Sequence, residues 1–66
     1  MTYTPTSIKF LRLHEVMART GLSRSQIYKL ISEGQFPAQV KLGCRSVAWI
    51  EADVIGWMHG RVARAA

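Results

Sequence analysis

Apolar residues recur with helical spacing in three stretches of this chain of 66 residues. Leu13, Val16, Met17 and Thr20 fall on one face of a first short helix, led in by Phe10-Leu11-Arg12, with His14, Glu15 and Ala18 outside. Ile27, Leu30 and Ile31 share a face at i, i+3, i+4 spacing and predict a second helix. Val54, Trp57, Met58 and Arg61 line a third, from about 52 to about 63, with Ile55 and Val62 widening the stripe. Before it, Val40-Lys41-Leu42 and Val47-Ala48-Trp49-Ile50 read as strands around the turn Gly43-Cys44-Arg45-Ser46. Val40 and Leu42 share one face of the hairpin, as do Val47 and Trp49, by the period of two. A lone hairpin is marginal in water, so this one must lean on the helices. Trp49 and Trp57 read as core.

The joints between these elements are written in local chemistry. Gly21 can take the left-handed conformation that closes the first helix. Ser23 is an N-cap residue, and Gln26 stands at capping-box spacing, each side chain answering the other's backbone N–H. Leu22 and Ile27 form the matching hydrophobic staple. Gly34 and Pro37 stop the second helix, and Phe36 between them is expected to plug the space between helix and sheet. The first helix has no Ser, Thr, Asp or Asn to cap it, which leaves its start poorly defined. Glu51 and Asp53 open the third helix and Arg61 and Arg64 close it, the arrangement its dipole favours. The sum is an α+β, mainly α domain: a small winged helix-turn-helix of two helices, a two-stranded β-hairpin wing and a third, C-terminal helix.

Composition narrows this little. An apolar fraction of 48% suits one small domain with a limited core, stable by about 3–5 kcal/mol without disulfides. Residues 1–8, Thr-rich with Pro5, are expected to be a flexible arm, and residues 9–66 the folded domain. Cys44 has no partner for an internal disulfide and no metal-ligand companions at useful spacing; His14 and His59 stand equally alone. No metal or cofactor is expected. No apolar run reaches membrane-spanning length and no secretory leader is apparent, which points to the cytoplasm.

Charge changes the picture more. Nine Lys and Arg against four acids give +5, an excess that favours a polyanionic partner. On the second helix Ser25, Tyr28, Lys29 and Ser32 oppose the apolar stripe, with Arg24 at its flank. Hydroxyls, a phenol and cations on one face suit the major groove, where they bond phosphates and base edges. An ordinary solvated face has the same composition. The capping box competes for Gln26, which is expected to hold the helix start more than read a base. Arg45, at the wing tip, suits phosphate or a minor groove; a turn arginine can also serve solubility alone.

The runs Phe10-Leu11-Arg12-Leu13-His14-Glu15-Val16, Thr20 to Tyr28, Gly34-Gln35-Phe36-Pro37, Val40-Lys41-Leu42-Gly43, Arg45-Ser46-Val47-Ala48-Trp49 and Val54 to Trp57 together resemble the AlpA family of small phage and prophage regulators. The resemblance implies a MerR-like winged helix-turn-helix that binds double-stranded DNA and acts in prophage transcription or as an excisionase assisting a phage integrase. By position it puts Arg24, Ser25, Tyr28 and Lys29 on the recognition helix and Lys41, Arg45 and Ser46 on the wing; Gln26, on the same helix, is a further candidate DNA contact. Cys44 departs from the family pattern, where a small unreactive residue is usual, and so does Ala48, where Gly is common.

Two other classes stand beside this one. A domain of the same fold can be a protein-interaction module, binding an integrase or another partner through its third helix. An enzyme needs a nucleophile with its base, paired carboxylates or a phosphate-binding Gly loop, and none is present. One copy makes few phosphate contacts, so self-association on adjacent DNA sites is also expected.

Overall fold

A computed structural model of the chain describes residues 8–65. The element order is β1 (Phe10–Leu11), α1 (Leu13–Thr20), α2 (Arg24–Ser32), β2 (Val40–Lys41), β3 (Val47–Ile50) and α3 (Glu51–Ala65). All but residue 8 of the expected N-terminal arm lies outside the described residues.

The joint between α1 and α2 forms as its residues dictate. Gly21 adopts φ 76° and its N–H donates to the Met17 carbonyl at 2.8 Å. The Thr20 hydroxyl bonds the Val16 carbonyl at 2.8 Å and accepts the Leu22 N–H at 3.2 Å. Ser23 Oγ accepts the Gln26 N–H at 3.2 Å, and Gln26 Oε1 accepts the Ser23 N–H at 2.9 Å, which completes the capping box. At the far end of α2, Gly34 at φ 70° sends its N–H to Ile31 while Gln35 sends its own to Leu30, a Schellman closure. The start of α1 uses an unexpected device. Glu15 Oε1 accepts the Arg12 N–H at 2.8 Å, half of a capping box without a capping side chain. That bond to the backbone holds the Glu15 carboxyl below its ordinary pKa.

The sheet differs from the expected hairpin by one strand. Phe10 and Leu11, read as a lead-in to the first helix, pair antiparallel with β3, opposite Ile50 and Trp49. On the other edge Val40 lies opposite Ala48 and Lys41 opposite Val47. The order is therefore β1-β3-β2, with β3 in the middle. Two paired residues are too few to show a period of two, so β1 left no pattern to read. Ala48 and Trp49, adjacent in sequence and so on opposite faces, are both fully buried. A central strand covered on both sides has no solvent face to leave polar. Leu42, just beyond β2, is 46% exposed.

The core is Leu11, Val16, Ile27, Phe36, Trp49 and Val54, one residue each from β1, α1, α2, the turn after α2, β3 and α3. Leu13, Met17, Leu22, Leu30 and Ile31 pack around it, as the helical periodicities require. Phe36 plugs the end of α2, its ring edge-on to Trp57 at 4.8 Å. Trp57 itself is half-buried, not interior, and meets the 35–36 turn instead of the wing: its Nε1–H donates to the Gln35 carbonyl at 2.7 Å. Trp49 Nε1–H donates to the Pro37 carbonyl at 3.1 Å, so two indoles hold the same turn. α3 begins one residue earlier than expected and runs to Ala65. Its first turn is anchored by Arg19–Glu51 at 2.8 Å and by the Glu51 N–H on the Lys9 carbonyl.

Candidate nucleic-acid interface

The eight residues singled out in the sequence occupy two elements. Arg24, Ser25, Gln26 and Lys29 are exposed on α2, and Tyr28 is half-buried there. Lys41 is exposed on β2, Arg45 is exposed in the turn after it, and Ser46 is half-buried where the turn meets β3.

α2 begins differently from the other helices. α1 carries Glu15 in its first turn and α3 carries Glu51 and Asp53, whereas the first turn of α2 has no acid and opens on Arg24. The positive end of its dipole is left without a carboxylate, beside an arginine. An anion is the complement of that arrangement, and helix N-termini are established phosphate sites. Ser25 lies one residue further and Lys29 one turn beyond that, both open to solvent.

Tyr28 is not free in the way its neighbours are. Its ring stands edge-on to Trp49 with centroids 6.2 Å apart, and the Arg24 guanidinium lies over it at 5.8 Å. The apolar body of Tyr28 thus belongs to the α2–β3 contact, and its outer side is a platform for Arg24. These two residues are brought together one helical turn apart, and through Trp49 they are tied to the central strand that carries the wing. Gln26 has its Oε1 committed to the cap, as expected, which leaves its amide N–H groups to reach outward.

The wing turn is closed at its base by backbone. The Ser46 carbonyl accepts the N–H of Leu42 at 2.7 Å and of Gly43 at 3.3 Å. Cys44 and Arg45 project at the tip, both exposed. Lys41 and Arg45 therefore sit on a different element from the α2 cations, coupled to them through β3. A second surface lies on the third helix, which the sequence had offered only as an alternative partner-binding element. Arg61 stacks on Trp57 at 4.9 Å, and with Arg64 it lines an open groove along α3. The spacing of Gly56, Gly60 and Arg64 along one ridge was its one visible sign.

Comparison with known proteins finds relatives along most of the chain. The family model described as "Prophage CP4-57 regulatory protein (AlpA)" matches residues 9–62. An uncharacterized protein, ORF88, of Enterobacteria phage P4 is 55% identical over 58 residues, covering 88% of this chain and 66% of that protein. The DNA-binding transcriptional activator AlpA of Escherichia coli K12 is 34% identical over 62 residues, covering 85% of this chain and 89% of its own length. The chain thus spans a little under two thirds of the phage P4 relative and most of AlpA. With the match running from the start of the sheet nearly to the end of α3, the chain belongs to the AlpA family of prophage regulatory proteins.

Proposed function

We propose that this protein is a sequence-specific, non-catalytic DNA-binding regulator of prophage genes, in which α2 enters the major groove and the wing tip meets the sugar–phosphate backbone. The observation that carries the reading is the acid-free start of α2, with Arg24 held over Tyr28 and with Ser25 and Lys29 exposed beside it. The net charge of +5 and the family's AlpA member, which is a DNA-binding activator, support it. Arg24 and the α2 N-terminus take phosphate, Ser25 and Lys29 reach base edges, and Lys41, Arg45 and Ser46 flank the backbone. The mechanism is occupancy in the cytoplasm: the bound protein recruits or blocks polymerase, or bends the duplex so that a phage integrase complex assembles on it. In that second setting the protein is an excisionase, and one protein can do both.

The test separates the helix from the wing. A cognate duplex is enriched from random sequence, and variants are titrated against it and against an unrelated duplex at two salt concentrations. Arg45→Ala weakens both DNAs alike and lowers the log–log salt slope by about one phosphate. Ser25→Ala or Lys29→Ala shifts the ratio between the two DNAs by about 1–3 kcal/mol where the side chain reads a base. Loss of discrimination in Arg45→Ala, with the helix variants intact, would assign reading to the wing instead. Equal affinity of the unmodified protein for every duplex would end the sequence-specific reading.

A further inference from the structure

α3 carries two glycines in its interior, Gly56 and Gly60, each unfavourable there relative to Ala. The fold itself gives no reason for them. Neither has a positive φ, and a Cβ added at either meets no atom within 4 Å. They lie on one ridge with Ala52 and Arg64, along the floor of the open groove of about 690 Å³ whose other wall is the 34–37 turn with Phe36 and Trp57. Charge is split along the same helix face: Asp53 stands near its start, Arg61 and Arg64 near its end. Asp53 is exposed and is not the acid engaged by Arg19.

We propose that this groove is a self-association surface on which α3 of a second copy packs antiparallel, about a two-fold axis crossing the helix between Gly56 and Gly60. Bare glycine backbone is what lets two helices approach closely. With the axis at position 58, Asp53 lies five residues before it and Arg61 and Arg64 lie three and six after it. The partner copy's Asp53 therefore falls between Arg61 and Arg64, roughly 8 Å along the helix from the crossing point. Two-fold symmetry makes that pairing twice, since the same patch serves both copies. The groove lies by the C-terminal end of α2, whereas Arg24 and Ser25 lie at its N-terminal end, roughly 12 Å away along the helix axis.

The test needs no DNA, so its outcome is independent of the DNA-binding reading. Sedimentation equilibrium of the unmodified protein gives a mass that rises from monomer to dimer with concentration. Asp53→Arg alone and Arg64→Asp alone each weaken association by about tenfold, because each turns two attractions into repulsions. Mixed in equal amounts they associate at least as tightly as the unmodified protein, one copy now cationic along the face and the other anionic. Arg61 is left in place because it stacks on Trp57. Gly60→Leu improves the helix and puts its Cβ in open space, so it melts at a higher temperature at low concentration yet remains monomeric when concentrated. Circular dichroism confirms that each variant is folded. An unmodified protein that stays monomeric at millimolar concentration overturns the proposal. So does a charge-exchanged mixture no heavier than its components, or a Gly60→Leu protein that associates unchanged.

Discussion

The joint between α1 and α2 and the joint between the sheet and α3 are held by opposite means. At the first, every side-chain hydrogen bond spans two to four residues: Thr20 to Val16, Leu22 to Thr20, Ser23 and Gln26 to each other. At the second, Trp49 bonds Pro37 across 12 residues and Trp57 bonds Gln35 across 22. Arg19–Glu51 and the β1–β3 ladder add further long-range ties. Local devices specify the path of the chain and cost little loop entropy, but each contributes little. Long-range contacts close the domain, and they rest on a few large side chains. The helix-turn-helix is thus drawn locally and held in place by tryptophans elsewhere.

Substitutions at the two joints put this contrast at risk in proportion. Trp49→Ala removes the largest fully buried side chain, a loss of about 3–5 kcal/mol against a total of similar size. It should leave the domain mostly unfolded by far-ultraviolet circular dichroism at 25 °C. A folded Trp49→Ala protein would mean that the local joints suffice alone. Trp57→Ala should cost less, about 2–3 kcal/mol, because the indole is only half-buried but also loses its bond to Gln35. Urea titration would show a lower midpoint with a cooperative transition retained; a loss equal to that of Trp49→Ala would make the two indoles equivalent after all.

Ser23→Ala removes the cap of α2 and should cost about 1 kcal/mol, read as a lower melting temperature. An unchanged melt would show that Gln26 and the packing of Leu22 against the core hold that helix start unaided. The smallest effect belongs to Glu15. Its carboxyl is more acidic in the folded chain than in the unfolded one, so its contribution is complete above the unfolded value of about 4.5. It disappears as pH falls through the lower folded value, when protonation removes the charge that strengthens the bond to the Arg12 N–H. Glu15→Gln should therefore melt nearer to the parent in acid than at neutral pH. A gap that widened on acidification would reverse the sign.

How much was legible in advance follows the same division. Gly21, Ser23, Gln26 and Gly34 announced their turns and caps because each acts on backbone groups a few residues away. The face of α2 that carries Ser25 and Lys29 was legible for the same reason, since helical periodicity alone fixes which side chains share a side. Tyr28 was placed on that face without its contact to Trp49, a residue 21 positions later that no local pattern connects to it. β1 was missed because two residues pair with β3 only after the intervening chain has folded back.

The sequence by itself therefore determined the helices, the caps at both ends of α2, the turn between α1 and α2 and the excess of positive charge, all of which are local or additive properties. Tertiary structure decided that β3 is the central strand, buried on both faces, and that Trp57 sits at the rim of a groove instead of in the core. It also decided that Tyr28 serves as a platform for Arg24 and that an open groove runs along Gly56 and Gly60. These features depend on which surfaces meet once the chain closes, and residues of the same type and spacing can be buried or bare according to what lies opposite.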